Sequence, residues 1–242
     1  MAFKNLGAAC LVFFAGLAGA QAPAASTAVT SFITAEALFQ AFALPAWPQD
    51  GSALAAEDLQ EVLTAQMQRT PSDVQEALLD ANRSPHAWAQ AATALGAEFT
   101  EQRYPATTAL LLALHEDMRA INRAGNLQKG HRARPPVVDP RIKSIFADNL
   151  TLSASYPSAR SASSRVWALL LGDVFPARRA ALRAHADRTA ELRLLGGAHF
   201  PSDIRAGQQV GDAYYAQALQ NTLFQQALNR AKLETTGAKP PP

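Results

Sequence analysis

The sequence predicts an all-α protein built as a single bundle-like helical domain. Three observations predict it. Apolar residues recur at three- and four-residue spacing in successive segments from about residue 53 to residue 232. Helix start and stop signals bracket those segments. No segment alternates apolar and polar residues over a useful strand length, and no internal repeat is present. At 242 residues and 48% hydrophobic composition the chain has ample apolar side chain for a core, which excludes a disordered protein.

The elements follow in order. Residues 1–20 read as a secretory signal peptide: Lys4 in the charged region, the apolar run Leu6 to Ala18, then Ala18-Gly19-Ala20 as a small-residue cleavage site. Cys10 lies inside that leader, so the mature chain lacks cysteine and cannot be cross-linked by a disulfide. Periplasmic or secreted localisation is expected. Residues 21–50, rich in Ala, Ser and Pro, read as an extended lead-in with one short helix around Ala35 to Ala43. The main domain is set at residues 51–233. Its first helix, Ala53 to Gln68, places Leu54, Leu59, Val62, Leu63 and Met67 at helical spacing.

Thr70-Pro71-Ser72-Asp73 and Ser84-Pro85 start two further helices. Pro105 to Asn122 forms a strongly apolar helix that ends near Gly125. Residues 125–160 are aperiodic, and a connection this long is usually functional or disordered. Helices resume at Ser161 to Leu171 and Pro176 to Leu195, the latter closed by Gly196-Gly197. One long helix then runs from about Ser202 to Lys232, and residues 234–242 read as a disordered tail.

Composition bounds the partners. The formal charge is +2, and loss of Lys4 leaves 21 basic against 20 acidic residues, spread along the chain. Nucleic acid is therefore a poor partner. No apolar run after the leader approaches the roughly 20 residues that a membrane span needs. A homo-oligomer remains compatible with the sequence.

Three pieces carry chemical potential. His199 and Asp203 are four residues apart, so they share one helix face, where a carboxylate can leave one imidazole nitrogen bare as a nucleophile. Arg134, ahead of Pro135-Pro136, and Arg193, six residues before His199, can be aimed at a bound anion. Ser158 in Tyr156-Pro157-Ser158 opens a helix whose N-terminus suits an oxyanion. Taken singly, each is equally a surface pair, a solvated basic loop or an ordinary helix cap.

Their order and spacing resemble the signature of the type 2 phosphatidic acid phosphatase superfamily, and within it the secreted bacterial class A acid phosphatases. That pattern is Lys-x6-Arg-Pro, then Pro-Ser-Gly-His, then Ser-Arg-x5-His-x3-Asp, and the resemblance covers roughly residues 50–232. It implies the helical-bundle fold shared with the vanadium haloperoxidases. It implies His199 as a phosphohistidine-forming nucleophile oriented by Asp203. It further implies Arg134, Arg193 and Ser158 as phosphate ligands, with Arg160 available to the same anion, and no cofactor or metal. The partner implied is phosphate or a small soluble phosphomonoester.

The chain departs from the pattern at four positions. Leu127 stands for the motif lysine, with Lys129 two residues late. Ala159 and Arg160 stand for the Gly-His, and Leu192 for the serine before the second arginine. The family's histidine at position 160 is the acid–base group. A guanidinium cannot replace it, because it does not release a proton near neutral pH. Two outcomes follow: a phosphatase with impaired activity, or a catalytically inactive pseudophosphatase that binds phosphate, a phosphoester or a protein partner. Of the remaining histidines, His131 has a plausible location near Arg134. His86 and His115 fall within helices, and His185 is placed on an outer face.

Overall fold

The computed structural model describes residues 31–81, 83–91, 95–146 and 153–236. Ten α-helices and no strand occur among them. They are α1 Ala35–Ala41, α2 Ala53–Gln68, α3 Pro71–Ala81, α4 Pro85–Ala91, α5 Pro105–Gln128, α6 Pro135–Val138, α7 Ala159–Val174, α8 Arg179–Leu195, α9 Pro201–Ala218 and α10 Thr222–Thr236. The leader, residues 1–20, lies outside the described residues. No described helix is long and apolar enough to cross a membrane.

Helix α7 is the axis of the bundle. It packs against α5, α8 and α9, and its inner face carries Ala162, Val166, Trp167, Leu170 and Leu171 into the main core. Facing them are Leu111, Leu114 and Met118 of α5 and Val210 and Tyr214 of α9. The α7–α9 crossing is set by two glycines. A Cβ on Gly207 would overlap the Ser158 carbonyl oxygen, and one on Gly211 would lie 2.8 Å from the Ala162 carbonyl. Spaced one turn apart, they let backbone meet backbone, so the N-termini of α7 and α9 converge.

Several boundaries differ from the sequence expectation. The lead-in is not merely extended: Phe32, Leu38 and Leu44 are buried in the main core, and Asp117 of α5 accepts from Phe32 N at 2.9 Å. On α2 the buried stripe is Asp58, Val62 and Ala65, while Leu54 and Met67 are exposed. The apolar pattern misled because an acid occupies the inward stripe. Helix α5 continues past Gly125 to Gln128. Gly125 is there because a side chain would press on Phe39 and Pro157, and the chain turns instead at Gly130, with φ 82°. The aperiodic stretch 125–160 holds the end of α5, the short α6 and the start of α7.

The expected long last helix breaks at residues 219–221. There the Asn221 side chain caps Leu223 N at 2.9 Å and Phe224 N at 3.1 Å. Helix α10 runs into the expected tail as far as Thr236, and Glu234 caps the N-terminus of α5 through Ala106 N, at 2.6 Å, and Thr107 N, at 3.0 Å. His185 is half-buried rather than outward, its ring 4.5 Å from that of Trp88.

Gly207→Ala forces a methyl into the Ser158 carbonyl. Overpacking of this kind costs about 1–3 kcal/mol. A thermal melt is expected to show Tm lower by roughly 2–4 °C per kcal/mol lost for a chain of this size.

Candidate functional site

The convergence of helix ends builds the site. His199 and Asp203 flank the start of α9, Ser158 caps α7, Arg193 lies in the last turn of α8, and Arg134 precedes α6. All five are buried. Pro201 and the Phe200/Asp203 capping box fix the entry to α9, with the Asp203 carboxylate accepting from Phe200 N at 2.9 Å. Gly197, at φ 69°, turns the chain out of α8, and Arg193 lies near enough to His199 to disfavour its charged form.

His199 has a defined tautomer. Its Nδ1 lies 2.7 Å from the Ser155 carbonyl oxygen, which can only accept, so Nδ1 carries the proton and Nε2 is a bare nitrogen. Asp203 Oδ2 is 3.6 Å from Nδ1, beyond a hydrogen bond, and serves as a nearby counter-charge. It orients the ring indirectly, by accepting from Ser155 Oγ at 2.6 Å. Burial pushes the imidazole down to about 4, with Arg134 and Arg193 adding repulsion and Asp203 opposing the shift. His199 is therefore neutral from mildly acidic pH upward.

The two arginines differ in how they are held. Arg134 spends every donor on the protein. Nε and Nη2 bond the Ser153 carbonyl, Ser153 Oγ and the Ala154 carbonyl, each at 3.0 Å, and Nη1 bonds the Ala198 carbonyl at 2.9 Å and His199 Nε2 at 3.1 Å. Arg193, only 5% exposed, makes no hydrogen bond or ion pair with the described residues, and its Nε is buried without a partner. Its guanidinium carbon sits 3.9 Å from the centre of the Phe146 ring. The ring covers one face of the guanidinium. A side chain on Gly196 would collide with Phe146, so the Gly196-Gly197 pair admits that ring. Burial, the larger cause in each case, holds Arg134 and Arg193 down at about 10; Arg160 and Arg134 add repulsion on Arg193.

Ser158 is fully buried. Its N–H donates to the Asp203 carbonyl at 2.9 Å, and its hydroxyl shares a hydrogen bond with Ser161 Oγ at 2.9 Å. Arg160 does not join His199. Its Nε donates to Asp80 Oδ2 on α3 at 3.1 Å and its Nη1 to the Arg83 carbonyl at 3.1 Å. Leu127 is exposed at the end of α5, Lys129 is exposed beyond it, and Leu192 is buried on α8. His131 is exposed and lines a different cavity, beside Trp47 and Ser52. Among the described residues no group of three or more His, Cys, Asp or Glu could hold a metal ion.

Sequence reasoning missed a buried network behind the site. Arg132 donates to Asp203 Oδ1 and Ser202 Oγ, each at 2.6 Å, and to Asp58 Oδ2 at 2.9 Å, with its guanidinium carbon 4.2 Å from the Phe200 ring centre. Asp58 also accepts from Ser202 N at 3.1 Å. One signal was available: Asp58 lies at i, i+4, i+7 with Val62 and Ala65, on a helical stripe where an acid needs a buried cation.

The fold and centre define an all-α protein with a neutral histidine between two buried arginines. No family model matches the chain. A non-specific acid phosphatase of Providencia stuartii is 28% identical over 196 residues, 79% of this chain and 78% of the relative. Those of Salmonella typhi and Salmonella typhimurium are 32% and 31% identical over 105 residues, 43% of this chain and 42% of each relative. The chain is thus similar to non-specific acid phosphatases, which supports a phosphatase-like function.

Removing one partner of a buried ion pair strands the others, at a cost of about 3–5 kcal/mol. Arg132→Met, which leaves Asp203 without its hydrogen-bonded cation and Asp58 with only Arg205 at 3.8 Å, is expected to lose stability on that scale in chemical denaturation. Asp58→Asn, which keeps hydrogen-bonding capacity, should lose less.

Proposed function

We propose that the protein hydrolyses phosphate monoesters through a phosphohistidine on His199, with turnover limited by the lack of an acid–base group at position 160. The observation that carries this reading is Arg193: a buried guanidinium with no hydrogen bond or ion pair among the described residues, near enough to the neutral His199 imidazole to disfavour its charged form. A buried unpaired charge is costly, and a bound phosphate dianion would relieve it.

The geometry supports a sequence of steps. A phosphoryl oxygen takes an edge of Arg193 and the Arg134 Nη1 proton now given to His199. That transfer uncovers Nε2 as phosphate arrives. Nε2 attacks phosphorus, the ester P–O bond breaks, and the leaving oxygen departs with the bond's electron pair. The new imidazolium keeps its Nδ1 proton on the Ser155 carbonyl and faces Asp203 at 3.6 Å. Water then cleaves the P–N bond, returning neutral His199 and inorganic phosphate. The two guanidiniums stabilise the charged equatorial oxygens, which is most of phosphoryl-transfer catalysis. Esters whose leaving group needs no proton, such as aryl phosphates, are the favoured substrates. The Met1 to Ala20 leader supports export, which N-terminal sequencing of the mature protein would test.

One observation favours the alternative, a pseudophosphatase that binds without turnover. Arg160, the residue standing for the acid–base histidine, is tied to Asp80, and a guanidinium cannot serve as a general acid. A single experiment separates the readings: hydrolysis of an aryl phosphate by the purified mature chain from acid to neutral pH, against His199→Ala. Turnover lost in that variant is expected, with an acid limb near 4 as His199 protonates on Nε2. Equal rates in the two proteins, with phosphate still bound, would establish the pseudophosphatase.

Restoring the missing group needs a structural correction. Arg160→His alone leaves the buried Asp80 with only Arg83 at 4.0 Å and the Thr189 hydroxyl at 3.3 Å, so the test is Ala159→Gly, Arg160→His and Asp80→Asn together. Alkyl phosphate turnover is expected to rise by about 10²-fold or more, the scale of general acid–base assistance.

A further inference from the structure

The Arg193 side chain makes no hydrogen bond with the described residues, so its guanidinium is placed by some other contact. That contact is the Phe146 ring, whose centre lies 3.9 Å from the guanidinium carbon. Phe146 is half-buried and belongs to neither hydrophobic cluster of the described residues, so its ring does not serve the core.

The segment that carries the ring is tied down as far as the preceding residue. Gln66 of α2 donates to the Arg141 carbonyl at 3.1 Å. Ile142 is buried in one cluster with Val62 and Phe200. Arg69, at the end of α2, donates from Nη1 to the Lys143 carbonyl at 3.0 Å and to the Leu195 carbonyl at 3.2 Å, which joins the segment to the end of α8. Ile145 N donates to the Gly196 carbonyl at 3.1 Å. Phe146 follows directly, three residues in sequence from the last masked tie and against the last turn of the helix that bears Arg193.

Gly196 adds an independent observation. Its φ of −77° is open to any residue, so backbone conformation does not call for glycine there. A Cβ at that position would overlap two carbons of the Phe146 ring. The other near atom, the Leu192 carbonyl oxygen at 3.0 Å, is the acceptor of the Gly196 N–H itself. The side chain absent at 196 makes room for the ring on Arg193.

We infer that Phe146 is a positioning residue for Arg193, seating the guanidinium for an anion without consuming its N–H donors. The inference rests on the proposed phosphate centre and adds to it the means by which that centre is held ready. An aromatic face attracts a guanidinium through its quadrupole, and more strongly once water is excluded. A carboxylate in the same place would hold Arg193 harder, but it would take the donors and neutralise the charge that a phosphate needs. An arginine already seated by a ring loses less side-chain freedom when the anion arrives, and that saving appears as affinity.

The test is calorimetric titration of the mature chain with inorganic phosphate. Arg193→Gln is expected to abolish binding. Phe146→Leu should raise Kd about tenfold, between the exposed and desolvated limits of a cation–π contact. Phe146→Tyr, which keeps the ring, should return Kd to near its original value, a rescue that a general packing defect would not show. Gly196→Ala should weaken binding when Phe146 is present and add nothing in Phe146→Leu, because it acts by displacing the ring.

Phosphate bound as tightly or more tightly by Phe146→Leu, with Arg193→Gln still defective, overturns the inference and leaves the phosphate centre intact. Equal weakening in Phe146→Leu and Phe146→Tyr also overturns it, since the ring is then not what seats Arg193. Binding that is absent from the unsubstituted chain, or unchanged in Arg193→Gln, overturns the phosphate centre itself and the role of Phe146 with it.

Discussion

The site depends on one buried carboxylate. Asp203 is fully inaccessible, and its two oxygens accept from Arg132, Ser155 and Phe200 N. Each donor comes from a different place in the chain: the segment before α6, the segment before α7, and the entry to α9. The Asp203 main chain adds a fourth tie by accepting from Ser158 N. Desolvating a carboxylate is costly, and the cost is met here by satisfying it completely. The consequence is positional. Ser155 is pinned by its hydroxyl, and its carbonyl then selects the His199 tautomer. Asp203 orients His199 through a neighbour rather than by bonding it.

The buried charges divide into two groups with different roles. Arg132 lies between Asp58 and Asp203, and Arg160 lies on Asp80; both are structural pairs that knit α2, α3, α7 and α9 together. Arg134 and Arg193 have no carboxylate bond. Locally they leave two positive charges around a neutral imidazole, which matches a phosphate monoester dianion in sign and magnitude. The low values of both guanidiniums have the same origin, since desolvation, only partly offset by Asp203 at Arg134 and by Asp80 at Arg193, disfavours the charged form.

Much of this was legible in the sequence, and what was not has identifiable causes. The helices with strong local signals were readable: Thr70 and Asp73 cap α3 reciprocally, and α2 spans Ala53–Gln68 as its spacing predicts. Tertiary context decided the rest. Gly125 reads locally as a stop but serves a close approach to Phe39 and Pro157, so α5 runs on. Asn221 is a helix start that the continuous apolar spacing around it concealed. In the site, spacing placed His199 and Asp203 on one face, but it could not reveal that the ring bonds a main-chain carbonyl from Ser155. Nor could it pair Arg160 with Asp80, because an ion pair across 80 residues of chain leaves no periodic trace.

The contrast between Arg134 and Arg193 links binding to reactivity. Arg193 is short of an acceptor, so it favours an anion without disturbing the protein. Arg134 is saturated, and the one bond it can exchange at low cost is the bond to His199, since its other acceptors are main-chain carbonyls and a serine held by the fold. An anion that takes that Arg134 proton displaces the bond, and the group released is His199 Nε2. Until then the Nε2 lone pair stays engaged in a buried interior. Anion binding at Arg134 and release of Nε2 are therefore one event.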